Sequence, residues 1–314
     1  MSGHWVQQRE RGSLFAMKLL MGLAALFGRE ITRLLLYPIC LYFVLCTRTA
    51  TRASRDYLSR VFGRPPTWRE VFRHYFIFAT ALFDRALFRS GRDGSLNVQS
   101  RNVELMHHLS ESRQGALLFG AHFGAFDITS KIHKMHAHSR ISMLMYEENA
   151  RKMNALFESL GGRSHMRVIP IGQVDTLIRA KDELDTGGWI GIMADRVMGD
   201  ERMVRVPFLG EMAAFPAGPF LAASALKVPV LLFVCVYLGG NRYQEHFELL
   251  AEEINVGRRS READLEQWVR RYAQRLEHYC RTYPYNWFNF YNFWESSRLP
   301  AVEAKPAVVV RSPA

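Results

Sequence analysis

His122 and Asp127 are the first residues whose types and spacing suit chemistry. They lie in A-L-L-F-G-A-H-F-G-A-F-D, residues 116–127. An imidazole exchanges protons near neutral pH, and a carboxylate beside it can hold the ring in one tautomer. No other histidine in the chain has an acidic residue five positions on. Spacing alone does not set such a pair apart from chance; its setting does. Ala116–Phe119 is a short apolar run with turn residues on both sides, so it reads as a buried strand. Gly120 and Gly124 mark the turn out of it, and a helix is expected from about Phe126 to His136. Five helical residues rotate the chain by about 500°, so the two side chains would not share a helix face. They meet only with His122 in the turn and Asp127 in the first helical turn. That position, the carboxyl end of a strand, is where open α/β sheets bind ligands.

A second such stretch is Gly191-Ile192-Met193-Ala194-Asp195-Arg196, again closing an apolar run. An arginine there can hold a phosphate or carboxylate through two parallel hydrogen bonds, or it can pair internally with Asp195. A third, Phe215-Pro216-Ala217-Gly218-Pro219, is expected to open a helix whose free N–H groups suit an anion or oxyanion. Val228-Pro229-Val230 leads into the last apolar strand. His133, His136 and His138 have a spacing compatible with metal binding, but Lys131 and Lys134 are interleaved and Arg140 follows, so no metal is expected. There is no G-x-S-x-G, Walker A or G-x-G-x-x-G. The aromatic segment 283–294 can pack over the core, cover an acyl channel or meet a membrane interface; the residues do not choose.

The elements that must position these residues alternate. Helices are expected at Trp68 to about Phe88, Asn102–Ser110, Ile128–His136, Ala150–Leu160, Val174–Leu184 and Arg261–Tyr279. Strands are expected at Ala116–Phe119, Arg140–Tyr146, Met166–Ile171, Trp189–Ala194, Pro229–Leu238 and Tyr243–Leu250. Thr67 with Glu70 can form a capping box for the helix that begins at Trp68. His74 and Asp84, on that helix, are read as structural or surface residues. The alternation predicts an α/β fold: a central, mostly parallel sheet flanked by helices. Before it lie two apolar stretches, Leu14–Gly28 and Ile31–Cys46, each shorter than the roughly 20 residues that span a bilayer. They are expected to be helices embedded in or lying on a membrane, with a hairpin packed on the domain as the other reading. Arg48, Arg52, Arg55, Arg60 and Arg64 follow, as suits an anionic leaflet. The expected organisation is a membrane-associating segment over 1–64, a catalytic domain over 65–299 and a loose tail over 300–314.

With 41 Lys and Arg against 30 Asp and Glu, the net charge is +11. An anionic partner fits this, but no nucleic-acid reading motif appears. The four cysteines are scattered and form neither a zinc pattern nor a disulfide frame.

In order, H-F-G-A-F-D, G-I-M-A-D-R, F-P-A-G-P and V-P-V resemble the motif blocks of the lysophospholipid acyltransferase superfamily, and most closely its bacterial lipid A biosynthesis acyltransferase branch. The resemblance implies His122 and Asp127 as catalytic dyad. It implies substrate contacts at Gly124, Asp195, Arg196, Phe215, Pro216 and Gly218. Ala217 replaces the Glu usual in glycerol-phosphate acyltransferases, which points away from glycerol phosphates as acceptors. The branch implies an acyl-carrier-protein thioester as donor (acyl-CoA being the alternative), no cofactor, a lipid A-like or other glycolipid acceptor, and work at the cytoplasmic face of a bacterial inner membrane. A non-catalytic lipid-binding protein of the same fold is the competing class.

Overall fold

The computed structural model describes residues 11–91, 96–125, 141–148, 151, 155, 167–199 and 201–294. The helix expected over 128–136, most of the one expected over 150–160, the three clustered histidines, Asp127 and the tail lie outside the described residues.

The described residues open with four helices. Helix α1 (Arg11–Arg33) kinks at Gly28, whose φ of 78° and ψ of 172° break the helical path. Helix α2 (Leu36–Cys46) and helix α3 (Arg48–Phe62) follow, and α3 ends on Gly63 in the left-handed conformation. The capping box forms: Thr67 and Glu70 exchange side-chain and backbone bonds at the start of α4 (Trp68–Arg89). No helix among the described residues is long and apolar enough to cross a membrane. Large apolar side chains of α1, α2 and the turn between them nevertheless face outward, among them Leu26 at 77 % exposure, Leu34 at 62 % and Leu45 at 69 %.

Then comes the α/β unit: β1 (Asn97–Arg101), α5 (Val103–Glu111), β2 (Ala116–Gly120), β3 (Ile141–Tyr146), β4 (Arg167–Ile171), α6 (Thr176–Asp185) and β5 (Trp189–Met193). A hairpin, β6 (Met203–Phe208) and β7 (Glu211–Pro216), precedes α7 (Gly218–Leu226). Strands β8 (Val230–Gly239) and β9 (Arg242–Ala251) and helix α8 (Arg261–Thr282) complete it. Seven strands form one sheet in the order β1-β9-β8-β2-β5-β3-β4. Strands β8, β2, β5, β3 and β4 run parallel, while β9 is antiparallel to β8 and β1 follows β9. β2 is buried along its whole length, as expected for a strand covered on both faces. Helix α8 lies on one face through Leu265, Val269, Tyr272 and Leu276.

The N-terminal helices share this core. Cys40, Tyr57 and Leu58 belong to the same buried cluster as Phe119 and Ile192 of the sheet. A buried ion pair reinforces the join. Arg29, just past the kink, donates to both oxygens of Asp84 at 2.7 Å and to the carbonyl of Gly240 in the β8–β9 turn. Tyr243 of β9 donates to the same carboxylate at 2.6 Å. Removing one partner of a buried pair strands the other charge. Asp84→Ala should therefore cost about 3–5 kcal/mol in denaturant unfolding. The double replacement Arg29→Met with Asp84→Leu should recover most of that loss.

Candidate active site

Strand pairing builds the site. Gly120, the last residue of β2, is in register with Met193, the last residue of β5. The main chain stays coupled one step further, where Ala194 N–H donates to Gly120 O at 3.0 Å. Two residues beyond each strand end, His122 and Asp195 therefore face each other. His122 Nδ1 lies 2.8 Å from Asp195 Oδ1, and the His122 backbone N–H donates to Oδ2 at 2.9 Å. The carboxylate is fully buried, whereas the His122 side chain is 37 % exposed. With Nδ1–H donated to Asp195, the lone pair falls on Nε2, which has no protein partner among the described residues.

Gly124 closes the turn by close packing. Its φ is +60°, and a Cβ there would lie 1.7 Å from the carbonyl oxygen of Cys235 on β8. Ala125 N–H donates to that same oxygen at 3.0 Å. The visible task of Gly124 is thus to let the turn lie on the β8 backbone.

The segment after α8 crosses the back of the site. Gly124 N–H donates to Asn286 O at 2.7 Å, and Phe288 N–H donates to His122 O at 2.8 Å. Trp287 Nε1–H donates to Asp195 Oδ2 at 3.1 Å, and Arg196 donates to Phe288 O at 2.8 Å. The Arg196 guanidinium also lies 5.3 Å from the centre of the Tyr291 ring. Of the three options for the aromatic segment, packing over the core describes what is seen: Trp287, Phe288, Phe293 and Trp294 are buried.

Charge is unevenly felt here. Burial pushes the His122 imidazole below its ordinary pKa; Arg196 and, more weakly, Arg85 of α4 push the same way, against the pull of Asp195. Burial alone would raise Asp195, but the His122 ring, its hydrogen bonds and Arg196 outweigh burial and bring the carboxyl to about 2. At neutral pH the pair is a carboxylate and an uncharged imidazole, which is the state needed to accept a proton.

The structure therefore brings His122, Asp195 and Arg196 together. Asp127 lies outside the described residues. Asp195 sits behind the ring with both oxygens engaged, rather than open to solvent. Phe215 and Pro216 are buried at the end of β7, and the expected helix starts only at Gly218, which is exposed. No hydrogen bond joins these three to His122 among the described residues, although Phe208 touches the rings of both Phe215 and Trp287. Sequence reasoning missed Trp287 and Arg85. The aromatic density at 283–294 was the available signal for Trp287; nothing in the spacing of α4 pointed to Arg85.

An open α/β sheet carrying a neutral imidazole and a buried carboxylate at its carboxyl edge defines a protein equipped for proton transfer to or from a bound substrate. The chain belongs to the bacterial lipid A biosynthesis acyltransferase family, whose sequence model matches residues 8–296. It is an acyltransferase enzyme acting on a lipid. Comparison with curated proteins returned no matching relative.

The Gly124 contact yields a stability test. Gly124→Ala places a Cβ against β8 backbone in a strained left-handed conformation. Thermal melting should show a loss above about 2 kcal/mol, because the obstruction is main chain and not a movable side chain.

Proposed function

We propose that the protein transfers a fatty acyl chain from an acyl-carrier-protein thioester to a hydroxyl of a lipid A-like or other glycolipid acceptor. The observation that carries this reading is the His122–Asp195 pair at the ends of adjacent parallel strands. His122 Nε2 takes the acceptor hydroxyl proton as its oxygen attacks the thioester carbonyl. Collapse of the tetrahedral intermediate breaks the C–S bond, forms the ester and releases the thiol with the proton returned from the imidazolium. Asp195 holds the tautomer and stabilises the imidazolium, the role that the sequence motif assigns to Asp127. Asp127 remains a second candidate carboxylate for the same proton-transfer step. No serine or cysteine is invoked as nucleophile. Arg196 receives an anionic group of donor or acceptor, and the third block, Phe215 to Pro219, shapes the adjoining wall.

The donor assignment draws support from the net charge of +11, which suits an acidic carrier protein. The placement at the cytoplasmic face of an inner membrane draws support from α1, α2 and α3. Leu26, Leu34, Tyr42 and Leu45 are exposed apolar side chains there. Arg48, Arg52 and Arg55 follow on one exposed face of α3. An interfacial helix with a basic flank binds anionic bilayers in this way.

Labelled acyl transfer to total membrane lipid, from carrier-protein and coenzyme A donors in parallel, tests the reaction. His122→Ala should lower kcat by about 10²–10⁴. Asp195→Asn should cause a loss of the same order and Asp127→Asn a smaller one. The acid limb of kcat/KM for the wild type should lie below the ordinary histidine range, because protonating His122 is disfavoured by burial and by Arg196. Activity surviving His122→Ala would remove the base from this scheme. In a vesicle flotation assay, Leu26→Ser with Leu45→Ser should weaken binding to phosphatidylglycerol-containing vesicles. Added salt should weaken the wild type further.

A further inference from the structure

The backbone of residues 286–288 makes no ladder with the main sheet, yet three of its polar groups are taken by the site. Asn286 O receives Gly124 N–H, Phe288 N–H reaches His122 O, and Phe288 O receives Arg196. Trp287 pairs with Phe123 as an isolated antiparallel bridge. Its indole N–H is aimed at Asp195, 3.1 Å from Oδ2. The ring is 1 % exposed and wedged among Tyr57, Phe208 and Phe293 at centroid distances of 5.0, 5.4 and 5.0 Å.

Trp287 is itself held from the other side. Its carbonyl accepts from Asn289 N–H at 2.9 Å and from His74 Nε2–H at 2.9 Å. His74, fully buried in α4, accepts at Nδ1 from the Ser54 hydroxyl of α3 at 2.8 Å. A carbonyl can only accept, so Nε2 carries the proton. Burial brings His74 down to about 4 despite that bond, so this histidine stays neutral wherever the enzyme works.

We infer that Trp287 is a positioning residue for the acyl-transfer reaction: its indole N–H holds the Asp195 carboxylate in the plane that presents Oδ1 to His122 Nδ1, and so sets the basicity of Nε2. The inference rests on the reading of His122 as general base. Asp195 has two oxygens and no exposed surface. One oxygen serves the imidazole, and the other is shared between the His122 main chain and the indole. Without the indole, Oδ2 keeps a single donor. Negative charge then concentrates on the carboxylate, the imidazolium is better stabilised, and the pKa of His122 rises. Among the described residues, the other charged or titratable groups around the pair are Arg196 on its own loop, Arg85 on α4, Tyr272 and Cys280 on α8, and Tyr291 beyond residues 286–288, the strap across the site. Burial raises the two phenols and the thiol, so they stay protonated over the working range and do not compete for the shift.

The test is replacement of Trp287 by β-(3-benzothienyl)alanine, which substitutes sulfur for the indole N–H in a ring of nearly the same shape. W287F is prepared beside it. The expected result is kcat lowered by about 10-fold, the lower end of what loss of an orienting outer partner costs at metal-bound histidines. KM should change little. The acid limb of kcat/KM should move to higher pH by roughly half a unit or more. The melting temperature of the benzothienyl protein should stay near that of the wild type, so that a folding failure of W287F alone does not decide the matter. The His122 titration, followed by NMR of the imidazole in the folded protein, reports the coupling without reference to turnover. An unmoved titration overturns the inference, as does a fall in kcat with an unmoved acid limb, which marks a packing role only. Activity that survives His122→Ala removes the base and with it the role of Trp287 in turnover, whereas the His122 titration tests the Asp195–Trp287 contact by itself.

Discussion

A carboxylate with no exposed surface sits at the centre of this molecule. Leaving Asp195 unpaired there would cost several kcal/mol, so its oxygens must be met by donors. Three donors meet them, from two places far apart in sequence: the His122 main chain, the His122 ring and the Trp287 indole. Each donor imposes a condition. The His122 contacts require β2 and β5 to be neighbours, parallel and in the register that sets Gly120 against Met193. The indole requires the segment after α8 to return across the sheet edge. Gly124 is the glycine that lets the turn close, because no side chain fits between it and β8. Satisfying one buried charge therefore specifies strand order, turn geometry and the path of the C-terminal segment together.

The same arrangement suits the proposed role of His122 as base. The imidazole is solvated on one side and anchored on the other, so its tautomer is fixed while its far nitrogen remains available. Arg196 does two things at once: it disfavours the imidazolium through its charge, and it braces the strap through Phe288 O. An anionic substrate group pairing with Arg196 would relieve the first effect. The base would then gain strength when the site is filled.

Much of the sheet was legible because its central strands are short, continuous apolar runs. A-L-L-F and W-I-G-I-M leave little choice, and the helix from Trp68 announced itself through Thr67 and Glu70. The hairpin β6–β7 was not read. Prolines at 207 and 216 argue against strands, and the turn is Leu209-Gly210, both at positive φ, where Asn-Gly would have been the recognisable signal. Strand β1, N-V-Q-S-R, is too polar to stand out and is ordered by pairing with β9. Of the site, His122, Asp195 and Arg196 were found as strand-end residues. That His122 and Asp195 face each other depends on which strands are neighbours, and strand order is not written in local sequence. His74 and Asp84 read as structural or surface residues, and the structural role shows only once α3, β9 and the C-terminal strap are packed around them.

The Arg29–Asp84 pair has a consequence for how this chain tolerates shortening. An N-terminal helical segment can often be removed from the domain that follows it. Here the cation that neutralises Asp84 belongs to the first helix, and Asp84 also receives Tyr243 from an outer strand of the sheet. Cutting the chain after residue 33 would leave that carboxylate without its cation and with the Tyr243 hydroxyl as its remaining donor. The first helix is thus also a counterion for the interior, and its loss would unbalance the core that the sheet and α4 share.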